Sequence, residues 1–257
     1  MPPLEFRKEA REALTGKWGK AVCIMLAYML FTFVLGFIEG LFKGNEFVYL
    51  LIELSVLVIS MPLSFGLIIS FMKLKRGEDV KAFGFLKDGF ARFGKSWGIA
   101  WHIFIRMLLP IICFVLILVL TIAMSIYNSS AAMLGDTIAT PTSSILNLIF
   151  IILEIATVVY IISRGYLYTL AYYISYDNTE LSPKECVLKS AELMKGNRGN
   201  VFLLELSFIG WAILAFFTLG LGFLWLAPYM QVALVCFYEK VAKVEAPNVE
   251  EAKKIEE

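Results

Sequence analysis

Six long apolar runs, separated by short polar stretches, organise the chain. They cover residues 21–38, 47–72, 97–126, 145–175, 201–219 and 223–238. In a helix, about 20 apolar residues cross the roughly 30 Å of hydrocarbon in a bilayer, so each run reads as a transmembrane span. Pro62 and Pro110 fall inside the second and third runs, where they predict kinks, and Pro228 falls inside the sixth.

Ahead of the first, third and fifth runs the pattern changes. Phe6, Ala10, Leu14 and Trp18 recur at helical spacing, as do Phe83, Leu86, Phe90 and Phe93 in the basic stretch 73–95. Residues 182–196 carry the fullest set of helix signals. Ser182 is an N-cap, Pro183 stands at the first helical position, Glu185 completes a capping box, Leu181 and Cys186 form a hydrophobic staple, and Gly196 is a stop. The apolar face of that helix is Val187, Leu188, Ala191 and Met194. All three segments read as amphipathic helices at the membrane surface.

Composition agrees. The chain is 59% hydrophobic and 18% charged, with mean hydropathy +0.76, whereas soluble domains run near 45–50% apolar. The segment before the first span is charged and helical, and that span is too long for a signal-peptide core, so it reads as an uncleaved anchor. Cys23, Cys113, Cys186 and Cys236 include no CxxC pair and read as free thiols.

The net charge of +1 says little, but its distribution orients the chain. The N-terminal segment, the loops after the second and fourth spans, and the tail hold 5, 7, 4 and 4 of the 23 Lys and Arg residues. The opposite loops hold only Lys43. By the positive-inside rule both termini lie in the cytoplasm. Residues 1–242 then form one six-span domain and 243–257 a charged cytoplasmic tail.

The layout of surface helix, glycine turn and two spans occurs three times. The turns are Gly16-Lys17-Trp18-Gly19, Gly94-Lys95-Ser96-Trp97-Gly98 and Gly196-Asn197-Arg198-Gly199. The spacing predicts a threefold repeat of helix hairpins, all pointing the same way.

One set of residues points to a family. Ser182-Pro183-Lys184-Glu185, Met194-Lys195-Gly196-Asn197, Leu206 to Trp211, Thr218 to Gly222, Pro228-Tyr229 and Phe237-Tyr238-Glu239 form a recognisable series. Pro62 to Gly66 and the Phe-rich helix 81–93 extend it. With this series the chain resembles the bacterial integral membrane family catalogued as domain of unknown function 975. The resemblance implies a six-span bundle in a bacterial plasma membrane, and it implies no activity and no catalytic residues.

The ionisable residues within the spans are Glu53, His102, Arg106, Glu154, Arg164 and Glu205. An arginine near the bilayer centre costs about 2.5–3.5 kcal/mol on insertion, so these groups are expected to face inward and find partners. Depth along the spans predicts a cluster of Arg106, Arg164, Glu205 and His102 in the cytoplasmic half, with Arg106 and Glu205 as its expected ion pair. It reads either as a structural ion-pair network or as a cavity for an anionic solute or lipid head group. Glu53 and Glu154 sit in the outer half with no cation near in sequence.

The strings Gly89 to Ser96 and Gly94 to Gly98 match the Walker and GxSxG patterns, but both fall in the basic stretch leading into a span, without the preceding strand that those motifs need. No HExxH is present, and the single histidine has no ligand-spaced partner. The expectation is therefore a non-enzymatic membrane protein, without metal or cofactor, that organises lipid or a partner at the cytoplasmic face. The alternative is a small transporter or permease subunit for an anionic solute or lipid, which the three prolines favour. Membrane lipids are the expected partners, a second copy or another membrane protein remains open, and nucleic acid is not expected.

Overall fold

The computed structural model describes residues 3–133 and 139–255. It is helical throughout, without a strand among the described residues. The elements are α1 (Pro3–Leu14), α2 (Trp18–Leu41), α3 (Glu46–Lys75), α4 (Gly84–Phe90), α5 (Phe93–Met133), α6 (Ala139–Tyr166), α7 (Ala171–Asp177), α8 (Pro183–Leu193), α9 (Arg198–Leu206), α10 (Ile209–Phe217) and α11 (Phe223–Ile255).

Among the described residues, five stretches are long and apolar enough to cross a membrane: Trp18–Leu41, Glu46–Lys75, Phe93–Ser130, Ser144–Asp177 and Arg198–Phe217. The sixth expected run opens α11, but only the 16 residues 223–238 precede Glu239 and Lys240. α11 continues through Ile255. The fourth stretch is irregular at 167–170, between α6 and α7, and the fifth at Ser207 and Phe208, between α9 and α10.

The core gathers at one end of the bundle, where the three short amphipathic helices dock. α1 packs on α11, α4 on α3, and α8 on α7 and α5. Each sets a small buried residue against its neighbour: Ala10, Gly89 and Ser190. Gly89 and Gly66 bring α4 and α3 to backbone contact, so a Cβ on Gly89 would lie 2.1 Å from the Pro62 carbonyl oxygen. Ser190 Oγ donates to the Leu167 carbonyl (2.8 Å) and accepts from Leu170 N–H (3.1 Å), which satisfies the open turn between α6 and α7. Arg7 does the same for the second break by donating to the Ser207 carbonyl at 3.1 Å.

The α8 signals are present as expected. Ser182 Oγ accepts from Glu185 N–H and Glu185 returns the bond to Ser182 N–H, with Pro183 first in the helix. Gly196 has φ +80°, a conformation in which a Cβ is strained. The buried face, however, is Cys186, Val187, Ser190, Leu193 and Met194, turned onto the spans, while Leu188 points outward, 43% exposed. In α4 a second apolar face packs inward: Phe85 and Gly89 are buried with Leu86 packed beside them, whereas Phe83 and Phe90 of the expected face point out together with Phe93 at the start of α5. Spacing alone could not choose between two faces that both carry phenylalanine.

Pro62 leaves the Val58 carbonyl without its helical donor, and the indole N–H of Trp97 supplies one at 3.0 Å. At the far end, α5 and α6 pack mainly on each other. Phe114, Ile117, Thr121, Met124 and Asn128 are half-buried against Asn147, Phe150, Glu154, Thr157 and Ile161. This three-and-four spacing is the seam of a coiled coil. At 41 residues, α5 is about 60 Å long.

Candidate functional site

The four residues expected to cluster do not pair with one another. Arg106 donates back to the His102 carbonyl in its own helix at 3.0 Å. Arg164 lies over the ring of Tyr160, one turn away at 5.9 Å, and its Nε is buried without an acceptor. Glu205 accepts from the Tyr166 hydroxyl at 2.5 Å. Among the described residues none of Arg106, Arg164, Glu205 and His102 takes part in an ion pair. The expected Arg106–Glu205 bond is thus replaced by Tyr166–Glu205, which joins α6 to α9 with help from the Tyr166–Phe202 ring contact at 6.4 Å. Arg198 adds a bond to Ser163 Oγ at 3.3 Å. Of the outer glutamates, Glu53 is exposed. Glu154 lies in the α5–α6 seam with Oε1 buried and unpartnered.

The polar network lies instead where the second helix of each hairpin ends. Arg76, just past α3, grips Asp177 of α7 with two bonds of 2.6 and 2.8 Å. Its Nε donates to Glu239 of α11 at 3.2 Å. Lys75 bonds Glu239 and also Glu9 of α1 (3.2 Å), and the Tyr238 hydroxyl donates to Asp177 at 2.9 Å. Four helices are thereby tied at one point. Burial opposes the charge of Glu239, but the bonds from Lys75 and Arg76 outweigh it and hold the carboxyl below its ordinary range. The Asp177 bonds likewise hold the Arg76 guanidinium above its ordinary value against a burial penalty.

Around this knot runs a collar of lesser ties. Lys73 pairs with Asp88 at 2.7 Å and Lys20 with Asp79 at 2.7 Å. Lys240 pairs with Glu5 at 3.2 Å, and Lys95 donates to the Asn178 and Thr179 carbonyls at 3.2 and 2.8 Å. Arg92 stacks over Tyr176 at 4.8 Å. A cavity of about 350 Å³ opens beside Arg76, Asp177, Tyr238 and Glu239. The knot sets two cations against three carboxylates in mutual contact, which is the arrangement of a clamp holding helix ends in register. A tyrosine followed by an acid closes two hairpins, at Tyr176-Asp177 and Tyr238-Glu239, opposite Lys75-Arg76. That was the available sequence signal.

The family described as "Protein of unknown function (DUF975)" matches residues 1–245. The chain belongs to this family. The match takes in every residue of the knot, from Glu9 to Glu239. No curated protein and no solved structure matches the chain.

Proposed function

We propose that this DUF975 member is a six-span protein of a bacterial plasma membrane, with both termini in the cytoplasm, that organises lipid or a partner at the inner face and catalyses no reaction. The observation carrying this reading is the outward face of the α4 region. Phe83, Phe90 and Phe93 are 53%, 43% and 39% exposed, next to Lys81 and Lys87 on the same short stretch. Aromatic rings beside lysines suit the boundary between acyl chains and anionic head groups. The six-span count is supported by α11, whose Glu239 and Lys240 meet Lys75 and Glu5 at the basic end, while the Gly220–Gly222 turn lies at the start of the helix. An even count also places both basic termini on one side, as the charge bias requires.

A threefold repeat has independent support. Counting back nine residues from Gly19, Gly98 and Gly199 reaches Ala10, Gly89 and Ser190, and thirteen reaches Phe6, Phe85 and Cys186. All six are buried. Each surface helix docks on the second helix of the preceding hairpin, and α1 closes the ring on α11. The transporter reading has the two helix breaks on its side, but their carbonyls are taken by Ser190 and Arg7.

The test places an environment-sensitive fluorophore on Phe90→Cys in a cysteine-free background, in proteoliposomes. Emission is expected to be quenched by brominated lipid. Emission characteristic of water, insensitive to brominated lipid, would remove the basis of the proposal.

A further inference from the structure

A groove opens between α1, the start of α2 and the third hairpin. A cavity of about 560 Å³ is lined by Trp18, Trp211, Ala215, Trp225 and Tyr229, with Arg11 on its wall. It is a groove more than a pit, because Trp211 and Trp225 are 52% and 53% exposed and open it sideways between α10 and α11. Arg11 belongs to α1, on the basic side, so the groove runs from that face into the depth of the spans. Volumes of this size take a small molecule or a length of lipid chain.

Charge at the mouth selects among such occupants. The acids of α1 are committed elsewhere: Glu5 to Lys240, Glu9 to Lys75, Glu12 to Lys8. Arg7, one turn before Arg11, is spent on the Ser207 carbonyl and the Phe208 ring, yet its Nε is buried without an acceptor. The Arg11 guanidinium has no anionic partner among the described residues. Arg11 is thus the one charged group on a tryptophan-rich groove whose lining holds no carboxylate. Indole rings accept an apolar chain along their faces and keep their N–H groups for the polar boundary, and a guanidinium holds phosphate by two parallel bonds.

We infer that this groove binds one anionic phospholipid of the inner leaflet, its phosphate on Arg11 and an acyl chain along Trp18, Trp211 and Trp225. The inference rests on the inner-face orientation proposed above, and its test is independent of the α4 labelling. The full chain is placed in nanodiscs containing brominated phosphatidylglycerol or brominated phosphatidylcholine at equal mole fraction, and tryptophan quenching is compared. Trp97 and Trp101 report bulk lipid alike in both. The expected result is a quenching excess for phosphatidylglycerol, corresponding to a preference of about fivefold for one basic contact at an anionic head group. The excess should vanish in Arg11→Gln, persist in Arg11→Lys, and vanish when Trp18, Trp211 and Trp225 are replaced by Phe. Equal quenching by the two lipids in the unmodified protein, or an excess that survives Arg11→Gln, overturns the site. Quenching confined to Trp97 and Trp101 in both lipids, with the chain forming a dimer, assigns the groove to a second copy and overturns it as well. Arg11 is exposed, and its variants are checked for unchanged elution as folded protein.

Discussion

Replacing Gly89 by alanine tests the docking of α4 on α3. The added Cβ would stand 2.1 Å from the Pro62 carbonyl oxygen and 3.3 Å from Gly66 Cα. Both neighbours are backbone, so no side chain can swing away, and α4 must withdraw by about 1 Å to restore ordinary contact. Overpacking of this kind costs about 1–3 kcal/mol. Withdrawal also loosens Phe85, fully buried and in edge contact with Tyr28 (5.6 Å) and Phe31 (6.4 Å), which adds to the loss. Gly66→Ala meets the Phe85 carbonyl at 1.9 Å and should behave alike. Gly84→Ala is the control. Its Cβ meets only Val80 at 3.7 Å, and in a helix the exchange gains up to about 1 kcal/mol. The assay is thermal unfolding in detergent, followed by the monomer peak after heating. The account expects both crossing variants to lose several degrees and Gly84→Ala to lose none. A Gly89→Ala protein as stable as the parent would refute the close crossing.

Three further outcomes follow from the bonds described. Trp97→Phe should cost about 0.6–1.7 kcal/mol by stranding the Val58 carbonyl, and Pro62→Ala, which restores the helical N–H, should couple to it in a double-mutant cycle. Tyr166→Phe and Glu205→Gln should couple by a similar amount, whereas Arg106→Met should be additive with Glu205→Gln; coupling of that second pair would reinstate the ion pair expected from sequence. Acid should loosen the knot. The folded Glu239 carboxyl titrates below its ordinary 4.5, so its contribution is full above that value and is lost as pH falls through the lower, folded one. Melting temperatures taken from about pH 6 down to pH 3 should fall less steeply in Glu239→Gln than in the parent.

Five of the six expected runs were legible as helices long and apolar enough to cross a membrane, because a helix that spans hydrocarbon requires a long apolar run. The capping box at Ser182 and Glu185 was legible because it is local. The inward face of α4 was not, since Phe85 competes with Phe83, Phe90 and Phe93, and only the approach of Gly89 to Gly66 decides which face turns in. Polar pairing failed for a related reason. Depth along a span places Arg106 and Glu205 at similar heights but says nothing of azimuth, and Tyr166, which takes the Glu205 bond, is an ordinary residue at a span end. The break at 167–170 also shifts the register. By contact with the surface helices Leu167 corresponds to Pro62.

The proposed sixth crossing carries the rest of the account, since it alone would return the chain to the basic side of the membrane, where α11 meets α1. Single cysteines in a cysteine-free background, labelled in intact cells with a membrane-impermeant maleimide, test it. Gly44→Cys and Leu221→Cys should react from outside, while Lys87→Cys, Lys195→Cys and Lys243→Cys should react only after the membrane is opened. Outside labelling at Lys243→Cys would give five crossings, part the tail from the Lys75 and Glu9 side, and contradict the account.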